Sequence, residues 1–213
     1  MSLESPASER SIDLAFGAGC ALQGCGMSIG HEVESHGAMD SNRSPELKEV
    51  VFGLHWDPPH DAASGQPADL DALCVLFDSN GLTLEVIHPG HPRSVDGCVT
   101  HTGDSRNGAS HWDDERIFVF LDALPEAVAK LAFVVMSATG KSFDAVPGAR
   151  CHVSDRVSEA PHVQIELGSL CGRTIHTVSL IRRSASGWEF FAEDVHDDEQ
   201  LFAELERRVR AAK

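Results

Sequence analysis

Between residues 50 and 192 the apolar residues fall into short runs set apart by polar stretches that carry glycine or proline. Residues 50–56 are apolar and β-prone. Residues 70–77 are apolar on both faces, the pattern of a central strand covered on both sides. Asp78-Ser79-Asn80-Gly81 is a turn signal, which makes residues 82–87 the hairpin partner of 70–77. Further strands are expected at 116–121, 131–137, 150–154, 162–167, 175–182 and 188–192, the last two joined by a turn at 184–187. Residues 89–107 read as one long irregular stretch, and short helices are expected at 125–130 and 143–146. After Asp197 the period changes: Leu201, Phe202, Leu205 and Val209 recur on one helical face, with acid at the start and Arg207, Arg208, Arg210 and Lys213 towards the end. Many short strands with little helix between them predict an all-β chain, a β-sandwich of two mostly antiparallel sheets with short helices and a C-terminal helix packed on it.

The N-terminal residues 1–46 lack this rhythm. Residues 17–30 are rich in glycine and cysteine and 31–45 are polar, so the segment is expected to be partly disordered, with one short strand near 11–16. The organisation is then an atypical segment 1–46, a sandwich domain 47–195 and a helix 196–213. No apolar run approaches the roughly 18 residues of a membrane span, and the N-terminus has neither the basic start nor the apolar stretch of an export signal. The expectation is a cytoplasmic protein with reduced thiols, Cys74 in the core, and Cys20 and Cys25 open to redox or metal chemistry.

Charge narrows the function classes. The 213 residues carry a formal charge of -16, which leaves no basic footprint for nucleic acid. The window 53–115 holds eleven carboxylates against two arginines, a local -9 that attracts cations. Its acids cluster beside strand ends: Asp69-Leu70-Asp71, then the loop His101-Thr102-Gly103-Asp104-Ser105-Arg106-Asn107-Gly108, then Asp113-Asp114-Glu115. Residues two apart in an extended chain share a side, so Asp69 and Asp71 are expected to project together, and Asp113 with Glu115. Carboxylates gathered this way repel one another, and a hard cation such as Ca²⁺, which takes six to eight oxygens, removes that cost. Asp69, Asp71, Asp104, Asp113 and Glu115 are the candidate ligands of one or two calcium ions. Asp57, Ser105, Asn107 and Asp114 are further ligands or supports.

Gly53-Leu54-His55-Trp56-Asp57, Asp69-Leu70-Asp71-Ala72, the series from His101 to Glu115, Phe133-Val134-Val135, Ser142-Phe143 and Gly187-Trp188-Glu189-Phe190 follow in order and spacing a pattern that resembles the tellurium-resistance TerD family. The resemblance spans roughly residues 47–192. It implies a β-sandwich that binds calcium at acidic loops, a role in resistance to tellurite and other stresses, and no catalytic activity; some relatives are described as cyclic-AMP-binding. The acidic loop departs from the resembled pattern at four places: Ser105 stands for asparagine, Asn107 for threonine, and Ser110 and Trp112 for two glycines. Trp112 offers no oxygen and stiffens the loop, which weakens the expected ion affinity.

Two other classes compete with calcium binding. Twelve histidines, with His88 and His91 three apart and His101 and His111 flanking the acidic loop, admit a zinc site and a zinc-dependent hydrolase using that loop, or a hydrolase in which His101 with an acid serves Ser105 as nucleophile. Neither a clean zinc-ligand spacing nor a Gly-x-Ser-x-Gly elbow accompanies them. A small-ligand module of the cyclic-nucleotide-binding kind is the other. The expected partners are proteins of a stress-resistance complex, with peripheral membrane association left open.

Overall fold

The strand from Leu70 to Phe77 is buried along its whole length, because its two faces enter two different cores. In a computed structural model describing residues 47–58, 67–191 and 198–212, ten strands and one α-helix follow in order. They are β1 Glu49–His55, β2 Leu70–Phe77, β3 Thr83–Ile87, β4 Val99–His101, β5 Glu115–Phe120, β6 Lys130–Ser137, β7 Arg150–Asp155, β8 Pro161–Glu166, β9 Ile175–Ser184, β10 Gly187–Phe191 and α1 Glu199–Ala212. They form two five-stranded sheets, β4-β5-β1-β7-β8 and β10-β9-β6-β2-β3, and every neighbouring pair is antiparallel.

Alternation within each strand assigns the faces. Val50, Phe52 and Leu54 of β1, with Ile117 and Val119 of β5, meet Leu70, Ala72, Cys74 and Leu76 of β2 and Leu131, Phe133 and Val135 of β6 between the sheets. The Phe52 and Phe133 rings stack across the layers with centroids 4.9 Å apart. The intervening residues Leu73, Val75, Ala132, Val134 and Met136 point outward and are covered by Phe202, Leu205 and Val209 of α1. The helix thus supplies the cover that the doubly apolar β2 and β6 require. Asp198 starts it, its Oδ1 accepting the Gln200 and Leu201 amide N–H groups at 2.9 and 3.1 Å.

Two expectations change. The stretch 89–107 contains β4, a three-residue strand held by its pairing with β5 rather than by any apolar run. The helix expected at 125–130 is absent; a turn of 3₁₀-helix lies earlier, at Leu121–Ala123, and Val128 N–H closes a tight turn on the Pro125 carbonyl. The other short helix is present as a 3₁₀ turn at Phe143–Ala145. The strand expected near residues 11–16, and Cys20 and Cys25, lie outside the described residues.

Candidate metal centre

The chain leaves sheet β4-β5-β1-β7-β8 at His101 and returns to it at Glu115, so residues 102–114 form a long hairpin loop. Gly108 sets its path. At a φ of +62° it lies so close to Trp56 that a Cβ would collide with the indole and sit 2.6 Å from the Trp56 carbonyl oxygen. Asp114 pins the same loop from beneath. Its carboxylate accepts the Trp56 N–H at 3.1 Å and the Ser110 N–H at 3.0 Å, and the Ser105 hydroxyl stands 3.4 Å away.

Glu115 joins the two sheets. Its side chain is fully buried; Oε2 accepts the Ala72 N–H at 2.7 Å and Oε1 accepts the Ser105 N–H at 3.1 Å. Burial pushes its pKa up, and the hydrogen bonds with His101, Ala72 and Ser105 only partly offset that. This carboxylate draws the acidic loop against the start of β2. There Asp69, Asp71 and Asp104 converge: one oxygen from each lies within 4.8 Å of the others. Asp71 is fully buried, Asp69 half-buried, and Asp104 sits at the rim with Arg106 Nε 2.9 Å from its Oδ2.

Three of the five primary candidates therefore come together, and the others take different places. Glu115 spends both oxygens on backbone N–H groups next to the cluster. Asp113 and Glu115 do not share a face, because β5 begins only at Glu115 and the chain bends at Asp114. Asp113 lies on the outer face of the sheet over Gly53, with Arg116 Nε at 2.8 Å and His152 Nε2 at 3.3 Å. Burial raises its pKa, but hydrogen bonds and charge from His152 and Arg116 prevail and hold it below the ordinary 3.8. Asp57 is half-exposed at 3.4 Å from His55 Nε2. Asn107 is exposed and its Oδ1 accepts the Ala109 N–H at 3.3 Å, while Ser105 contributes its amide to Glu115.

The histidines have a role that sequence reasoning missed. Each acid of the Asp113-Asp114-Glu115 run faces its own histidine: His152 at 3.3 Å, His55 at 3.0 Å and His101 at 3.2 Å. His55 Nδ1 also donates to the Trp112 carbonyl at 2.6 Å. His101 Nδ1 accepts the Gly103 N–H at 3.0 Å, which leaves the ring proton on Nε2, towards Glu115. These contacts left no local signal in the sequence: His152, for one, lies 39 residues from Asp113.

The donor set decides which ion the cluster fits. Three carboxylate oxygens no more than 4.8 Å apart can share a cation with bonds of about 2.3–2.6 Å, and they are the hard donors calcium prefers. Zinc prefers nitrogen and sulfur, and among the described residues no histidine or cysteine joins this group. His91 pairs with Glu85 at 2.7 Å, and His88 Nδ1 accepts the Gly90 N–H. The hydrolase pairing lacks its geometry as well, since both ring nitrogens of His101 face groups other than Ser105.

Comparison with known proteins adds to this geometry. The TerD domain family matches residues 35–201. The tellurium resistance protein TerZ of Serratia marcescens is 37% identical over 177 residues, 74% of this chain and 90% of that protein. A TerD protein from Alcaligenes sp is 40% identical over 116 residues, 51% of this chain and 59% of that protein. A stress response protein of Bacillus subtilis is 30% identical over 68% of this chain and 81% of its own. Among solved structures, a homologue of the telluride resistance protein TerD from Streptomyces coelicolor aligns with a TM-score of 0.63 at 28% identity, covering 75% of this chain and 98% of that one.

Proposed function

The chain belongs to the TerD family, and from that footing we propose that it is a calcium-binding, non-enzymatic component of tellurite or general stress resistance that works through protein partners. The observation that carries the calcium reading is the convergence of Asp69, Asp71 and Asp104 within 4.8 Å. The stress-resistance reading rests on the relatives, whose names place them in tellurium resistance and stress response. Asp69, Asp71 and Asp104 would hold the ion. Glu115 and Asp114 position the loop that brings Asp104 to the other two. Bound calcium would supply positive charge that lets the three carboxylates remain ionised side by side. No helix among the described residues is long and apolar enough to cross a membrane.

The test is calorimetric titration of the purified chain with calcium and magnesium, beside elemental analysis of the protein as isolated. Saturable calcium binding that magnesium reproduces only weakly is the expected result. Zinc retained on purification, with a chelator-sensitive hydrolytic activity, would replace this reading with the metal-dependent hydrolase. The absence of any saturable divalent-ion binding would end it.

A further inference from the structure

The two sheets differ on their outer faces. One is covered by α1; the other, β4-β5-β1-β7-β8, carries a cavity of about 650 Å³ that shares no residue with the three-carboxylate cluster. Its apolar surface comes from Val51, Phe118 and Trp112, and its cations from Arg116, Arg150 and Arg156. Asp113, Asp155 and Glu159 line it as well, so the cavity is formally neutral on a chain whose formal charge is -16.

Two of these acids are engaged, and the third, Glu159, stands at the rim. Asp113 is held by Arg116 and His152. Asp155 accepts the Val157 and Ser158 N–H groups at 3.0 and 2.7 Å. The arginines keep donors in reserve. Arg116 spends Nε on Asp113 and Arg156 spends Nη1 on Glu49. Arg150 gives Nη1 to the Gly148 carbonyl, and among the described residues no carboxylate stands within ion-pair distance of it. Arg156 is also seated over the Phe118 and Phe120 rings, 5.9 and 5.3 Å from their centroids, which orders a guanidinium on an otherwise open face.

Three further features are built around this cavity. Gly53 lies beneath the Asp113–His152 pair that lines the cavity: a Cβ there would collide with His152 Nε2 and lie 2.7 Å from Asp113 Oδ2, so the glycine lets that pair sit against the sheet. Glu159, on the rim, has a φ of 57°, the one positive value among the described non-glycine residues, in the turn that ends β7. Such conformations cost on the order of 1 kcal/mol or more and gather where a site needs a fixed shape. Trp112, which stands where the resembled loop pattern has glycine, is 77% exposed, whereas Trp56 and Trp188 are buried. An exposed indole beside guanidinium groups offers a flat apolar wall next to an oxyanion clamp.

We propose that this cavity binds a small organic anion, a planar or apolar body bearing a phosphate or carboxylate, with Arg150 and Arg116 on the oxyanion and Trp112 against the body. A bare inorganic oxyanion would leave most of the volume empty, since pockets of about 300–1,000 Å³ suit larger molecules. The anion meets Arg150, which has no carboxylate within ion-pair distance among the described residues, and the Arg116 donors that Asp113 leaves over, and the indole adds contact area in the same step.

The test is titration of the full-length chain with phenyl phosphate, benzoate, inorganic phosphate and phenol, followed by calorimetry and tryptophan fluorescence. Trp112 is the accessible tryptophan among the described residues and should report binding directly. Phenyl phosphate or benzoate should saturate, and which of the two binds more tightly identifies the headgroup. Inorganic phosphate should bind about tenfold or more weakly, and phenol should not saturate. Arg150→Ala should weaken the aromatic anion and inorganic phosphate alike by about tenfold, and Trp112→Ala only the aromatic anion, both at unchanged melting temperature. Failure of both aromatic anions to saturate, or variants that bind as wild type, would overturn the proposal. Calcium binding can stand or fall without affecting either outcome.

Discussion

Asp71→Asn removes the one buried charge from a group of three while keeping the shape of the side chain. At an effective dielectric near 20, two unit charges 4.8 Å apart repel by about 3.5 kcal/mol, and Asp71 takes part in two such pairs. Asp69 and Asp104 are less buried, and Arg106 offsets the charge of Asp104, so solvent screening reduces the total to about 1–3 kcal/mol. In a chelator the variant should therefore melt above wild type by about 2–12 °C for a chain of this size. In calcium the order should reverse. Wild type gains about 2.7 kcal/mol at a hundredfold excess over the dissociation constant, and the variant loses most of that gain. The assay is paired thermal melts with EGTA or calcium, and the crossing of the two orders is the diagnostic result. A variant that melts below wild type in both buffers by the same amount would show that Asp71 has a structural role and no shared ion. A wild-type protein indifferent to calcium would remove the premise.

Leu205→Ala should cost about 2–4 kcal/mol in urea denaturation, because Leu205 is fully buried between α1 and the outer face of β2 and β6; a loss below about 1 kcal/mol would mean the helix is not a structural cover. Gly108→Ala imposes both a left-handed backbone and a collision with Trp56; it should destabilise by about 2 kcal/mol or more and weaken calcium affinity, since the loop carrying Asp104 must move. Asp113 has a depressed pKa, so its contribution to stability is present above the ordinary 3.8 and is lost as pH falls through its lower folded value. Asp113→Asn should accordingly shrink the stability gap between neutral pH and pH below 3.8 in melts across that range, and an unchanged acid limb would contradict the pairing with His152 and Arg116.

Local pattern determined much of this protein. The doubly apolar run of β2, the turn at Asp78–Gly81, the alternation of β5 and the four-residue stripe of α1 each follow from periodicity that a strand or helix imposes on its own residues. The pairing of Asp69 with Asp71 was legible for the same reason, since both lie where β2 begins. Where regular structure stops, that logic stops: Asp113 and Glu115 are two apart, yet a bend at Asp114 sends one to the outer face and the other to the interior. Only the tertiary structure decided that Asp104 meets the β2 acids, that Glu115 serves as a tie between the sheets, and that His55, His101 and His152 each meet one acid of the run. These contacts depend on how two sheets and a 13-residue loop close on one another. Their partners lie far apart in sequence and leave no local period, because the geometry that joins them is set by packing and not by the neighbouring residues.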